Sequence, residues 1–338
     1  MMSCLNRRSF IKKSLSTSAL AAVGKYSFEE KALAGKTAKS TDNDKTKTID
    51  TKQMPMGKIG NVKISRLITG GNLINGVAHA RDLIYANPLL KNYFNDEKIM
   101  ETWRLSEEYG INTMSSWPAQ RFLQIYKQYR KDGGKIQWLG HIGCSIESAK
   151  VSIDNGAVAI YIAGDPGDTY VREGRFDELS EVMEYIKSNG LPAGIAGHPV
   201  AVPKLCEENK VPADFYMKTI HSGDYWSATP PDKRKYDIRT GDPTFDTKSH
   251  SSGYYHDNIW CLQPEETVEY MKTLKKPWIG FKILAAGAIN PRRGFQYAFE
   301  RGADFIHVGM FDFQVKEDAL LTKRILSRKM NRERAWMD

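Results

Sequence analysis

The chain has 338 residues, 41% of them hydrophobic and 26% charged, enough to bury a large core in one big domain or two modest ones. Its net charge of +9 is concentrated at one end. Residues 1–50 carry ten Lys or Arg against five Asp or Glu, leaving +4 with no basic stripe for the rest, which argues against nucleic acid as a partner. Cys4, Cys144, Cys206 and Cys261 include no CxxC pair, so zinc-ribbon and thioredoxin readings are excluded. With Cys4 in the leader, the odd, sparse set of three that remains does not describe a disulfide framework, and buried free thiols are expected.

The first element in the chain is a leader. Asn6-Arg7-Arg8-Ser9-Phe10-Ile11-Lys12-Lys13 precedes a weakly apolar stretch from Leu15 to Val23, the basic start and short apolar run of a signal peptide. That run is too short for a permanent anchor, so no integral membrane segment is expected. The adjacent arginines followed by Ser-Phe-Ile-Lys resemble the twin-arginine export signal. Residues 1–30 are therefore read as a leader for the twin-arginine machinery, with a periplasmic or extracellular destination. Residues 31–53, rich in Lys, Thr, Ser and Asp, cannot bury enough surface to offset their ordering entropy and read as a disordered tether. Residues 54–330 form the folded domain.

From Lys63 onward short apolar runs alternate with longer helical patterns, the signature of βα units. Strands are expected at Ser65–Gly70, Asn112–Met114, Ile136–His141, Val158–Ile162, Ala193–Ala196, Phe215–Ile220, Trp278–Leu284 and Phe305–Val308. Between the fourth and fifth, Phe176, Leu179, Met183 and Ile186 make one helical stripe that Gly190 stops. Pro264 opens another helix, with carboxylates at the positive end of its dipole. Eight strands over this length predict an α/β fold, a (β/α)8 TIM barrel. The rival is a doubly wound open sheet, but no glycine-rich dinucleotide fingerprint follows the first strand.

Several segments in order resemble the aldo-keto reductases. Met56 to Leu67 is similar to that family's opening hairpin and first strand, and Tyr109-Gly110-Ile111-Asn112-Thr113 to its helix-to-second-strand join. Leu179 through His198 resembles the fourth helix and fifth strand, and Phe281 to Ile289 with Gly302 to Met310 resembles the closing part. The resemblance implies an aldo-keto reductase-like barrel, with NADP(H) as a possible cofactor near Gly287, Gly309 and Met310. It also implies carbonyl reduction by an Asp, Tyr, Lys and His tetrad. This chain departs from that tetrad. Met114-Ser115-Ser116 occupies the Asp region, Trp117-Pro118-Ala119-Gln120-Arg121 intervenes before any tyrosine, and Tyr126 reads as buried in a helix. His141 corresponds most nearly to the Lys, and Ala163-Gly164 falls where the His belongs.

Barrel sites are built at the C-terminal ends of the strands. Those ends supply Asn72, His79, Arg81, Asp82, His141, Asp165, His198, Lys218, His221 and Lys282. His198, His221 and His256 could hold a divalent metal, with Asp82, Asp165 or Asp257 completing the set. Lys218 and Lys282, on adjacent strands, could lower each other's pKa if both point inward and so provide a Schiff-base nucleophile. The alternative is a lysine that anchors an anion. The long segment from His221 to Asn258 opens with Tyr225-Trp226 and ends near His256-Asp257, a composition suited to stacking on a sugar.

The expected substrate is a sugar- or polyol-like small molecule. Three readings stand: an exported oxidoreductase with altered catalytic residues; a lyase, isomerase or hydrolase using metal or an imine; and a ligand-binding barrel without catalysis.

Overall fold

A β-hairpin opens the described chain: β1 (Met56–Ile59) pairs antiparallel with β2 (Val62–Ser65). In this computed structural model the described residues are 53–78, 83–226, 228, 261 and 263–337. They belong to the second of the two units into which the chain divides, Ile49–Asp338. The leader, the tether and the sequence positions His79, Arg81, Asp82, His256 and Asp257 lie outside them.

Eight strands follow: β3 (Leu67–Thr69), β4 (Thr113–Ser116), β5 (Gln137–Ile142), β6 (Ala157–Ile162), β7 (Ala193–Gly197), β8 (Phe215–Thr219), β9 (Trp278–Phe281) and β10 (Phe305–Val308). All are parallel, each hydrogen-bonded to the next, and β10 returns to pair with β3. The sheet is therefore a closed (β/α)8 barrel, as the strand count predicts, and the open sheet is excluded.

The helices are α1 (Ala86–Tyr93), α2 (Asp96–Glu108), α3 (Gln120–Lys131), α4 (Ile146–Asp154), α5 (Gly164–Arg172), α6 (Phe176–Ser188), α7 (Ala201–Glu208), α8 (Pro264–Thr273), α9 (Pro291–Glu300) and α10 (Asp312–Leu326). The α6 stripe is buried at Leu179, Val182, Met183 and Ile186, and Pro264 stands at the first position of α8. Among the described residues no helix is long and apolar enough to cross a membrane. Cys144, Cys206 and Cys261 are free thiols, the last two buried.

Two packed layers result. Inside the barrel, Ile68, Leu139, Ala159, Tyr161, Ala196, Phe215, Met217, Ile279 and Phe305 fill the lumen, and Ile59 and Ile64 of the hairpin join them. Outside, residues of the opposite strand parity, such as Ile160, Tyr216, Trp278 and Ile306, pack under the helices. Period-two alternation thus decides which side chains line the lumen.

Candidate active site at the barrel mouth

The most specific polar arrangement at the mouth joins the end of β7 to the start of α5. Asp168 lies on the second turn of α5 and is wholly buried, and His198 follows β7. His198 Nδ1 lies 2.6 Å from Asp168 Oδ2, and the backbone N–H of His198 donates to Oδ1 at 2.9 Å. One carboxylate therefore fixes both the ring and the main chain of the histidine. Glycines allow the approach. A Cβ on Gly167 would stand 2.1 Å from the carbonyl oxygen of Ala196, and one on Gly164 would stand 2.6 Å from His198 Cε1. Asp165, one turn earlier and exposed, places Oδ1 3.9 Å from His198 Nδ1.

Burial pushes the Asp168 carboxyl up to about 8, opposed by the His198 N–H and by the nearby cations Lys218, Arg172 and Lys282. A proton between Nδ1 and Oδ2 leaves Nε2 as the basic atom of the ring. The ring lies 5.5 Å from that of Phe281, the last residue of β9.

Lys282 comes next in the chain and is half-buried. The strand ends one residue before it, which corrects the expectation that Lys282 lies within the seventh barrel strand. Its backbone is left-handed, with φ 55°, as are Ala285 at 50° and Ala286 at 52°. Each such residue costs about 1–2 kcal/mol without a glycine's freedom, so this turn stores strain of the kind found at functional sites. Burial brings the Lys282 ammonium down to about 7, while Asp165 and Asp168 act to raise it. Tyr225 packs against Ala285 and Ile289 of the same turn, and its ring lies 5.6 Å from that of His221.

Lys218 departs from the inward-facing expectation. Its neighbours Phe215 and Met217 fill the lumen, while Tyr216 and Ile220 lie in the outer layer, and Lys218 shares their parity. Its ammonium, 1% exposed, donates to the carbonyl of His198 and to the carbonyl and hydroxyl of Thr219, the latter two at 2.8 Å. Burial lowers it to about 8, but three oxygens occupy it. Lys218 is a strut that holds the main chain of His198 from behind the sheet.

The lumen beneath the mouth is also polar. His141 stacks on Tyr161 at 5.2 Å with the rings nearly parallel, and Trp117 approaches it edge-on at 5.6 Å. Over the intervening β3, His307 Nε2 of β10 lies 2.5 Å from Ser115 Oγ of β4, and that hydroxyl also bonds Tyr161. Burial lowers His141 to about 4 and His307 to about 3, so both imidazoles are neutral near pH 7. Asn72 is half-buried at the rim, where its carbonyl accepts from Asn75 and Val77. Trp226 is 84% exposed, and His221 is buried with Nδ1 3.0 Å from the carbonyl of Ser222.

The structure thus brings His198 together with Asp165 and Lys282, with Lys218 holding the His198 carbonyl, while His141 lies with Trp117 and Tyr161. Asp168, Ser115, Tyr161 and His307 were not singled out in the sequence. Asp168 had a signal in its three-residue spacing from Asp165, which puts both on one helical face, and His307 in its alternation with Phe305. Among the described residues, Asp165, Asp168 and His198 are the group whose ligand atoms lie within 4.8 Å of one another. The three-imidazole metal site expected from sequence needs His256, outside the described residues.

The positions assigned to NADP(H) fit poorly. Met310 is fully buried in the outer core, and a Cβ on Gly309 would press on Leu73 at 3.1 Å. Gly287 is an exposed turn residue with φ 90°. Tyr126 is buried in α3 and donates its hydroxyl to the Ile136 carbonyl at 3.1 Å, while Ser115 and His141 stand where the reductase tetrad has Asp and Lys.

No protein-family model and no curated protein matches the sequence. Solved structures do. A Pseudomonas aeruginosa protein assigned to the aldo-keto reductases is similar at 15% identity and a TM-score of 0.51, covering 80% of this chain and 94% of that one. A truncated 3-deoxy-D-arabino-heptulosonate 7-phosphate synthase from Thermotoga maritima is similar at 13% identity and a TM-score of 0.46, covering 82% and 95%. The first likeness establishes the aldo-keto reductase-like barrel fold and nothing about chemistry.

Proposed function

We propose that the protein is an enzyme acting on a carbonyl form of a sugar- or polyol-like small molecule, a lyase or isomerase that works through an imine at Lys282. The observation that carries this reading is the buried Asp168–His198 pair beside a half-buried lysine whose ammonium is lowered to about 7. An amine with that pKa is largely nucleophilic at neutral pH. It adds to the carbonyl carbon, and the carbonyl oxygen leaves as water. The iminium then draws electrons from the adjacent carbon, whose proton His198 Nε2 accepts as the C–H pair becomes the enamine double bond. Asp168 holds the ring and stabilises the imidazolium that results. Return of the proton to the same carbon on its other face gives epimerisation, and departure of a β-hydroxyl as water gives elimination. In each case water then adds to the iminium carbon, and the C–N bond breaks to free the carbonyl product and the Lys282 amine.

The substrate class rests on the lumen. Neutral imidazoles at His141 and His307, the hydroxyls of Ser115 and Tyr161, and the Trp117 ring offer uncharged donors, acceptors and a stacking face suited to hydroxyl groups. The Arg7-Arg8 pair supports export by the twin-arginine route to the periplasm or beyond.

The test is reductive trapping with cyanoborohydride across a panel of aldoses, ketoses and 2-oxo acids. A mass increase on the Lys282 peptide, absent in Lys282→Arg and slowed in Asp168→Asn, is expected. A panel that gives no adduct while the same compounds oxidise NADPH would replace this reading with the oxidoreductase one. Fractionation of cells expressing Arg7→Lys/Arg8→Lys tests the route, with retention in the cytoplasm expected.

A further inference from the structure

The groove between α9 and α10, on the outer wall of the barrel, collects four cations against one carboxylate. A concavity of about 130 Å³ is lined by Arg292, Arg324, Arg328 and Lys329, with Leu321, Ile325 and Met330 as an apolar wall. None of these four cations forms an ion pair among the described residues, whereas Arg293 of α9 and Arg301 just past its end pair with Asp224 and Glu333. The one carboxylate at the groove, Glu300, accepts from Gln296 at 2.8 Å.

Internal electrostatics account for only part of the arrangement. Arg292 stands in the first turn of α9, where the helix dipole is positive and a cation is disfavoured, and that turn holds no acidic residue. Arg324 lies in the last turn of α10, where the helix dipole favours a cation, and Arg328 follows two residues past the helix end. Four cations without ion pairs among the described residues, all bordering one hollow, are the complement of a multiply charged anion.

We propose that this groove binds a phosphate group. A carboxylate would satisfy one guanidinium fork. A phosphate monoester carries two charges and three terminal oxygens, enough to engage several forks at once. Leu321, Ile325 and Met330 would then meet the organic part of the ester. The site is separate from the barrel mouth and does not depend on the reaction assigned there.

Calorimetric titration of the full chain with inorganic phosphate and with glycerol 3-phosphate, at low salt, tests the proposal. Both are expected to bind saturably at low-millimolar concentration or better, with the ester tighter. Arg324→Ala/Arg328→Ala, exposed positions whose loss leaves the core intact, is expected to weaken binding at least tenfold. Co-sedimentation with phosphatidylglycerol vesicles, against phosphatidylcholine controls, distinguishes a lipid headgroup from a soluble phosphate; capture lost in the double variant assigns the phosphate to lipid. Absence of saturable binding in every arm, or binding that the double variant leaves unchanged in a protein of unaltered circular dichroism, would overturn it.

Discussion

The carboxylate of Asp304 and the guanidinium of Arg334 meet at 2.8 Å with both side chains almost wholly buried beneath the barrel. Arg332 joins at 2.8 Å, and the backbone N–H groups of Trp278 and Met337 donate to the same carboxylate at 3.0 Å. Removing the acid strands two buried cations. Asp304→Ala is therefore expected to lose about 3–5 kcal/mol of stability. Urea denaturation followed by circular dichroism measures it, and a loss under about 1 kcal/mol would show that the arginines find other partners.

Acid should act on the lumen through its histidines. Burial lowers His307 to about 3 from an ordinary 6.5, so below that ordinary value the unfolded chain takes up a proton that the folded chain refuses. This residue's stabilisation is thus present above about pH 6.5 and lost as the pH falls toward 3. His307→Phe removes the effect. The stability difference, variant minus wild type, is expected to move in the variant's favour by up to about 1.4 kcal/mol per pH unit between about pH 6 and 4.5. The opposite influence of Asp318, which burial raises to about 7, cancels in the difference. A difference flat with pH would mean that His307 ionises freely in the folded protein.

Helix α5 can lie against β7 only because position 167 has no side chain. Gly167→Ala would drive a methyl into the Ala196 carbonyl, so the helix must withdraw. An expected cost of about 1–3 kcal/mol is accompanied by loss of the Asp168 contact to His198. The second effect separates this variant from ordinary destabilisation: the nitrogen shifts of the His198 ring, read by NMR well below the unfolding temperature, should move toward those of Asp168→Asn. Wild-type shifts would count against it.

The turn after β9 holds Ala286 at φ 52° and ψ 33°, where a glycine sits without strain. Relief of about 1–2 kcal/mol is offset by the extra chain entropy that glycine loses, so Ala286→Gly should stabilise by up to about 1 kcal/mol. Thermal unfolding reads the result. A lowered midpoint would place the strain elsewhere.

Strand positions were legible because apolar runs and helical stripes alternate cleanly, and all eight expected strands exist within a few residues of their expected limits. The facing of Lys218 was harder. Phe215-Tyr216-Met217-Lys218-Thr219 is buried at every position, as parallel strands covered on both sides are, so alternation separates two sets without saying which is inward. The left-handed backbone at Lys282 leaves no trace in composition, and the sequence extends the strand through it. Asp168 reaches His198 through close helix-to-strand packing, a relationship that no local spacing encodes. Ser115 is an ordinary strand residue until closure of the sheet sets His307 beside it.

The hairpin described first has a bearing on traffic. Ile59 and Ile64 enter the lumen from the end opposite the mouth and are completely shielded there. The cylinder is in effect a stoppered tube. On the proposed reaction, substrate and product share the one open mouth, so release precedes the next binding and an analogue lodged at the rim obstructs both.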